Sequence, residues 1–149
     1  MDTGRPPPHA PHPSGWRRRI GQLLLVDDEQ HVLDWLGPLL REDLVVVTSP
    51  SAAGALDVLR AGMRFDLILC DVAMPTMTGV DLHEALAREM PEYAGRMVFM
   101  TGPIGDPSLR ARFEQLPNPR IDKPIDVEAL RALMTELLRR RAAAPANSR

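Results

Sequence analysis

The sequence predicts an α/β protein: a five-stranded parallel sheet, doubly wound, with helices on both faces. Three observations carry this. Apolar strand-like runs alternate with amphipathic stretches five times, the pattern of a parallel sheet with crossover helices. Three of the runs, Leu23-Leu24-Leu25-Val26, Leu67-Ile68-Leu69-Cys70 and Met97-Val98-Phe99-Met100, are continuous rather than alternating, as strands buried on both faces require. Acids, a hydroxyl and a lysine stand at the ends of such runs, where an open α/β sheet presents its functional edge.

In chain order, strands are expected at 22–27, 44–48, 66–70, 97–101 and 120–122. Helices are expected at 29–42, 50–61, 80–88, 107–115 and 127–141. Ser49-Pro50 and Asp106-Pro107 each set a capping side chain before a proline, whose missing N–H costs nothing at the first helical position. Asp126 is the expected cap of the last helix. There Val127, Leu130, Met134, Leu137 and Leu138 form one apolar stripe. Gly37-Pro38 predicts a kink or early break in the first helix, because proline removes a hydrogen bond and crowds the preceding turn. Right-handed crossovers leave few topologies. Five strands suit the flavodoxin-like order 2-1-3-4-5.

A chain of 149 residues holds one ordinary domain, expected at 20–141. Residues 1–19 contain Pro6-Pro7-Pro8, Pro11 and Pro13. They are expected to form a disordered Pro/Arg-rich arm, with His9 and His12 incidental rather than metal-binding. Residues 142–149 are expected to be a flexible tail. Trp16-Arg17-Arg18-Arg19 before an apolar run imitates a signal peptide, but the run is short and ends in Asp27-Asp28-Glu29; it is read as the first strand. The net charge of −2 gives no basic signature for nucleic acid. No apolar run approaches the roughly 20 residues of a membrane span. The single cysteine, Cys70, excludes an intrachain disulfide and fits a reducing, cytoplasmic setting. It is read as a small buried residue, and Met74 and Met77 as packing.

The chemistry follows from the run ends. Asp27, Asp28 and Asp71 bring several negative charges to one edge, which is costly without a cation. Mg²⁺ suits them: it takes hard oxygens and is held by one or two carboxylates plus phosphate oxygens. Asp28 and Asp71 are the expected direct ligands, Asp27 a ligand through water, and the Ala73 carbonyl a further donor. Asp71 is the expected nucleophile toward phosphorus, forming an aspartyl phosphate. Lys123 supplies a compact positive charge, and Thr101 a hydroxyl for a phosphoryl oxygen.

With these residues in order, the chain resembles the receiver domain of two-component response regulators from Gly21 to Arg141. Asp27-Asp28 is similar to the family's acidic pair and Asp71 to its phospho-acceptor. Met74-Pro75-x-Met77-x-Gly79 is similar to its post-acceptor loop. Thr101 matches its switch hydroxyl and Lys123-Pro124 its lysine-proline pair, whose peptide bond is usually cis in the family. The resemblance implies phosphoryl transfer to Asp71 from a sensor or hybrid histidine kinase, or from a histidine phosphotransfer domain. It implies a signalling domain rather than an enzyme, promoting only its own phosphotransfer and slow dephosphorylation. Output is expected through a protein partner on the face of helix 4, strand 5 and helix 5, in a monomer or weak homodimer.

One position departs from the family pattern. Where relatives carry Tyr or Phe three residues before the lysine, this chain has Arg120. An unpaired guanidinium resists burial, so Arg120 is expected outside, on a partner or a nearby acid such as Asp122. The segment 118–124 resembles receivers attached to hybrid histidine kinases. With only a short Ala/Pro/Arg stretch after the last helix, no DNA-binding element is expected. Two other classes share parts of this pattern. A pseudo-receiver would bind partners without phosphorylation; every acidic-site residue is present, which argues against it, while Arg120 at the aromatic position keeps it open. A phosphohydrolase of the haloacid dehalogenase type would need Asp-x-Asp after the first strand, a spacing Asp27-Asp28 lacks.

Overall fold

The computed structural model describes residues 19–144. Five strands, β1 (Gly21–Val26), β2 (Leu44–Ser49), β3 (Leu67–Asp71), β4 (Met97–Thr101) and β5 (Arg120–Asp122), form one sheet. Its order is β2-β1-β3-β4-β5, with every pair parallel. This is the order expected from the sequence. The helices are α1 (Gln30–Leu40), α2 (Ala52–Arg60), α3 (Gly79–Glu89), α4 (Pro91–Ala94), α5 (Pro107–Glu114) and α6 (Val127–Ala143).

The continuous apolar runs are buried because the sheet is covered twice. Alternate residues of β1, β3 and β4 point to opposite faces. Leu24, Val26, Ile68, Cys70, Met97 and Phe99 pack with α2, α3, α4 and α5. Leu23, Leu25, Leu67, Leu69, Val98 and Met100 pack with α1 and α6. The expected α6 stripe supplies Leu130 and Met134 to this second core, flanked by Val127, Leu137 and Leu138.

Four local details differ from expectation. The cap of α2 is Ser51, whose hydroxyl accepts from the Gly54 N–H at 3.0 Å. Ser49 belongs instead to β2, paired with Val26, and its hydroxyl donates to the Ser51 carbonyl at 2.9 Å. One further residue of strand pairing therefore moves the helix start past Pro50. Helix α1 does not break at Gly37-Pro38 but runs through Pro38 to Leu40. Gly37 is buried and Pro38 exposed, so the ring lies on the solvent side and the carbonyl it cannot serve belongs to exposed Asp34. The short α4 has no counterpart among the expected elements. It is one turn opened by Pro91, too brief to show a periodic pattern. Helix α6 runs to Ala143 rather than 141. The expectations for the arm, for His9 and His12, and for the tail beyond 144 lie outside the described residues.

Candidate functional site

Register assembles the site. Val26 pairs with Cys70, Asp71 with Met100 and Thr101 with Asp122. In a parallel sheet all C-terminal strand ends share one edge, so Asp27, Asp28, Asp71, Thr101 and Lys123 converge there. Asp27 is fully buried, Asp71 is 5% exposed and Asp28 is exposed. One carboxylate oxygen from each of the three lies within 4.8 Å of the others. Lys123 Nζ stands 3.1 Å from Asp71 Oδ1 and 3.5 Å from Asp27 Oδ2. The Lys123 N–H donates to the Thr101 carbonyl at 2.8 Å, and the Lys123-Pro124 bond is cis. Thr101 Oγ1 donates to the Gly102 carbonyl at 3.0 Å rather than to an acid.

The electrostatics show an excess of negative charge. Burial pushes the Asp71 carboxyl up to about 6, against the hydrogen bond and charge of Lys123 and with help from Asp27 and Asp28. Burial also raises Asp27, although the Glu29 N–H, 2.9 Å from Oδ1, and Lys123 favour its charged form. For Lys123 burial works downward, but Asp71 and Asp27 outweigh it and hold the ammonium charged. One lysine thus faces three carboxylates. The Cys70 thiol is pushed far up by burial and then by the charges of Asp71 and Asp27, so it carries no thiolate chemistry.

The loop after Asp71 is fixed by the backbone. The Val72 N–H donates to Met100 O at 3.1 Å, Gly79 N–H to Val72 O at 2.9 Å and Met77 N–H to Pro75 O at 2.7 Å. Thr76 takes a positive φ of 68°. Gly79 is required by space: a Cβ there would collide with the Asp71 carbonyl oxygen. Thr78 and Asp81 then close a capping box on α3. Met74 is buried and Met77 half-buried, both against the core, as packing residues. Ala73 is exposed on this loop, beside the acids in sequence.

Arg120 stays outside but not on Asp122. Its guanidinium lies 4.0 Å from the Phe113 ring centroid, and Nη2 donates to the Leu116 carbonyl at 3.1 Å. Phe113 meets Phe99 of β4 edge-on, with centroids 5.3 Å apart. The guanidinium is thus turned toward the end of α5, where an aromatic face and a free carbonyl await it, rather than along its own strand. Sequence reasoning also missed Arg112, which joins α5 to α3 through Asp81 at 2.8 Å and Glu84 at 3.0 Å. A basic residue inside a short polar helix gives no signal of its distant partners.

The model of the response regulator receiver domain family matches residues 23–135, most of the chain. The chain belongs to this family. This receiver is 42% identical over 71 residues to the two-component response regulator ARR12 of Arabidopsis thaliana, a match covering 46% of this chain and 12% of that protein. The chain thus spans a small part of that relative's length. Among solved structures it is similar to the signal receiver domain of a signal transduction histidine kinase from Syntrophus aciditrophicus (TM-score 0.73, 24% identity, covering 87% of this chain and 98% of that one). A receiver domain protein from Methanospirillum hungatei JF-1 is comparably similar (TM-score 0.72, 22% identity, 85% and 98% covered). At these identities the structures show the fold alone.

Membership makes this receiver a signalling domain of two-component systems rather than an ordinary enzyme, a class that works with histidine kinases or phosphotransfer proteins. Receivers bind Mg²⁺ through acidic residues, and the Asp27, Asp28 and Asp71 cluster supplies the hard oxygens for it. Among the described residues, no helix is long and apolar enough to cross a membrane.

Proposed function

We propose that Asp71 accepts a phosphoryl group from a histidine kinase or histidine phosphotransfer domain. The observation that carries this reading is one nearly buried carboxylate held 3.1 Å from a lysine and beside two further acids. That arrangement leaves negative charge in excess until a divalent cation joins it. Asp28 and Asp71 would hold Mg²⁺ directly, Asp27 through water, with the Ala73 carbonyl as a further donor. The cation, when bound, screens the approach of two anions and the charge on the transferred oxygens.

The chain's own residues do the rest. An Asp71 carboxylate oxygen attacks phosphorus, the P–N bond to the donor imidazole breaks, and its electron pair returns to nitrogen. Lys123 keeps its ammonium against the phosphoryl oxygens. Thr101 exchanges its bond to the Gly102 carbonyl for one to the new phosphoryl oxygen. The domain then favours a second packing of the face built here by α5, β5 and α6, and a protein partner reads that face. The protein so acting is a cytoplasmic switch, monomeric or weakly dimeric, that promotes only its own phosphotransfer and slow dephosphorylation.

Incubation with Mg²⁺ and acetyl phosphate, followed by intact mass, tests this. The wild type gains one phosphoryl group; Asp71→Asn and samples in EDTA gain none. An unmodified wild type would leave a pseudo-receiver, and a modified Asp71→Asn would place the acceptor elsewhere.

A further inference from the structure

Among the described residues, Thr76 is the one non-glycine at positive φ, 68°, in the loop between Asp71 and α3. The Met77 N–H donates to the Pro75 carbonyl, two residues back, at 2.7 Å. A positive φ spanned by such a bond is the γ-turn in its rare, strained form. A β-branched residue suits that conformation poorly. Thr76 brings nothing to offset the strain: it is exposed, and its hydroxyl bonds to no described residue. Strain of this kind persists only where the surroundings impose it. Here they do so from both sides. Met74 is 5% exposed and Met77 half-buried, both packed on the same core. The Gly79 N–H closes the loop on Val72 O at 2.9 Å, and the Val72 N–H fixes its start on Met100 O at 3.1 Å. With its ends and Met74 pinned, the chain relieves Thr76 by letting Met77 leave the core. Half-burial of a methionine and a non-glycine residue at positive φ oppose each other at similar strength, each worth roughly a factor of ten in population. Ala73 lies inside this closed loop, two residues after Asp71.

We propose that Met77 is a latch and Thr76 the spring it holds: together they position the metal-binding loop, which opens when Met77 leaves the core and takes the Ala73 carbonyl with it. The proposal rests on the reading that Asp28, Asp71 and the Ala73 carbonyl hold Mg²⁺. Amide exchange at position 77, followed by NMR on the full chain in EDTA and corrected for intrinsic rates, measures the opening without metal or phosphoryl transfer. Met77→Ala should speed it about tenfold, because it removes the burial that keeps the turn shut. Thr76→Asn should slow it about threefold, since Asn tolerates positive φ. Added to Met77→Ala, it should bring exchange back to within about threefold of wild type. Thr76→Val keeps the branched side chain without the hydroxyl and should not slow exchange. An amide spectrum unchanged beyond the loop shows that each variant is folded. Mg²⁺ at about ten times its dissociation constant, taken from calorimetry, should slow exchange in wild type about tenfold, because a ligand of the closed loop alone shifts its population by that ratio. Thr76→Val slowing exchange as much as Thr76→Asn would refute the spring, and Met77→Ala leaving exchange unchanged would refute the latch. Mg²⁺ that binds without slowing exchange overturns the positioning role. Absence of Mg²⁺ binding overturns the reading of the metal site, and the positioning role with it, whatever the exchange shows.

Discussion

Burial raises the Asp71 carboxyl from 3.8 to about 6 even though Lys123 stands 3.1 Å away. The sign of the stability effect follows. The folded state holds this proton more tightly than the unfolded chain, so stability falls as pH rises from about 3.8 to about 6, and the whole cost remains above that window. In EDTA at pH 7.5, Asp71→Asn should therefore be more stable than wild type by roughly 1–3 kcal/mol. The gap should close near pH 4. Lys123 keeps Asp27 at 3.5 Å in the variant, so it is not stranded. Urea unfolding at the two pH values checks this, and a destabilised variant at pH 7.5 would refute it. Arg120 permits a second test. Its stack on Phe113 spans 4.0 Å, and a double-mutant cycle of Arg120→Ala with Phe113→Leu should give a coupling of about 0.5–1 kcal/mol. A coupling within error of zero would remove the stack as an energetic contact. At this scale the convergence of Asp27 and Asp71 was legible because each follows an apolar run, and that of Lys123 from its place before Pro124 at the end of the short 120–122 strand. The Arg120 contact was not, because its partners Phe113 and Leu116 are chosen by how α5 lies on β5, and no local pattern states that.

Elements are held by a few backbone-directed contacts whose loss should show clearly. Asn118 is buried, and its Nδ2 donates to Ala94 O at 2.8 Å and Met97 O at 3.0 Å. It thereby ties the loop before β5 to the turn between α4 and β4. Asn118→Ala leaves both carbonyls without that donor and should cost about 2–3 kcal/mol, read by thermal or urea unfolding. A loss under about 0.5 kcal/mol would mean that water replaces the amide. Gly79→Ala tests the loop that carries the acceptor. The new Cβ meets backbone, the Asp71 carbonyl oxygen, rather than a side chain that could swing away. The variant should lose about 2–4 kcal/mol of stability and slow phosphorylation at least tenfold, because relief of the clash moves Asp71 itself. Element types were readable from period and run length, with Asp106 and Asp126 capping as expected. The Ser51 cap and α4 were not readable. The first depends on one extra residue of β1–β2 pairing, and the second on a single proline-opened turn.

The whole molecule is a sheet shared by two cores, and the protection of its parts should differ accordingly. Strands β1, β3 and β4 are buried almost throughout. Helix α5 buries only Leu109 and Phe113, and β5 buries none of its three residues fully. Hydrogen exchange in β1 and β3 should therefore require global opening, whereas α5 and β5 should exchange through smaller openings. That weaker unit is also the one the site can pull. Thr101 and Lys123 bracket residues 102–122, which contain α5 and β5, and the Lys123 N–H to Thr101 O bond of 2.8 Å closes the loop. A phosphoryl-like ligand on Asp71 that engages Thr101 Oγ1 and Lys123 Nζ acts on both ends of this segment at once. Beryllofluoride with Mg²⁺ should thus change deuterium uptake in α5 and β5 at least twofold over minutes, leaving β1 and β3 unchanged. Arg112 adds a brake, since its bonds to Asp81 and Glu84 tie α5 to α3. Arg112→Ala should raise basal uptake in α5 before any ligand is added. Mass spectrometry of peptides covering 102–122 decides it. An equal change across the sheet, or a change confined to α2 and β2, would show that the segment between Thr101 and Lys123 is not where binding at Asp71 is felt.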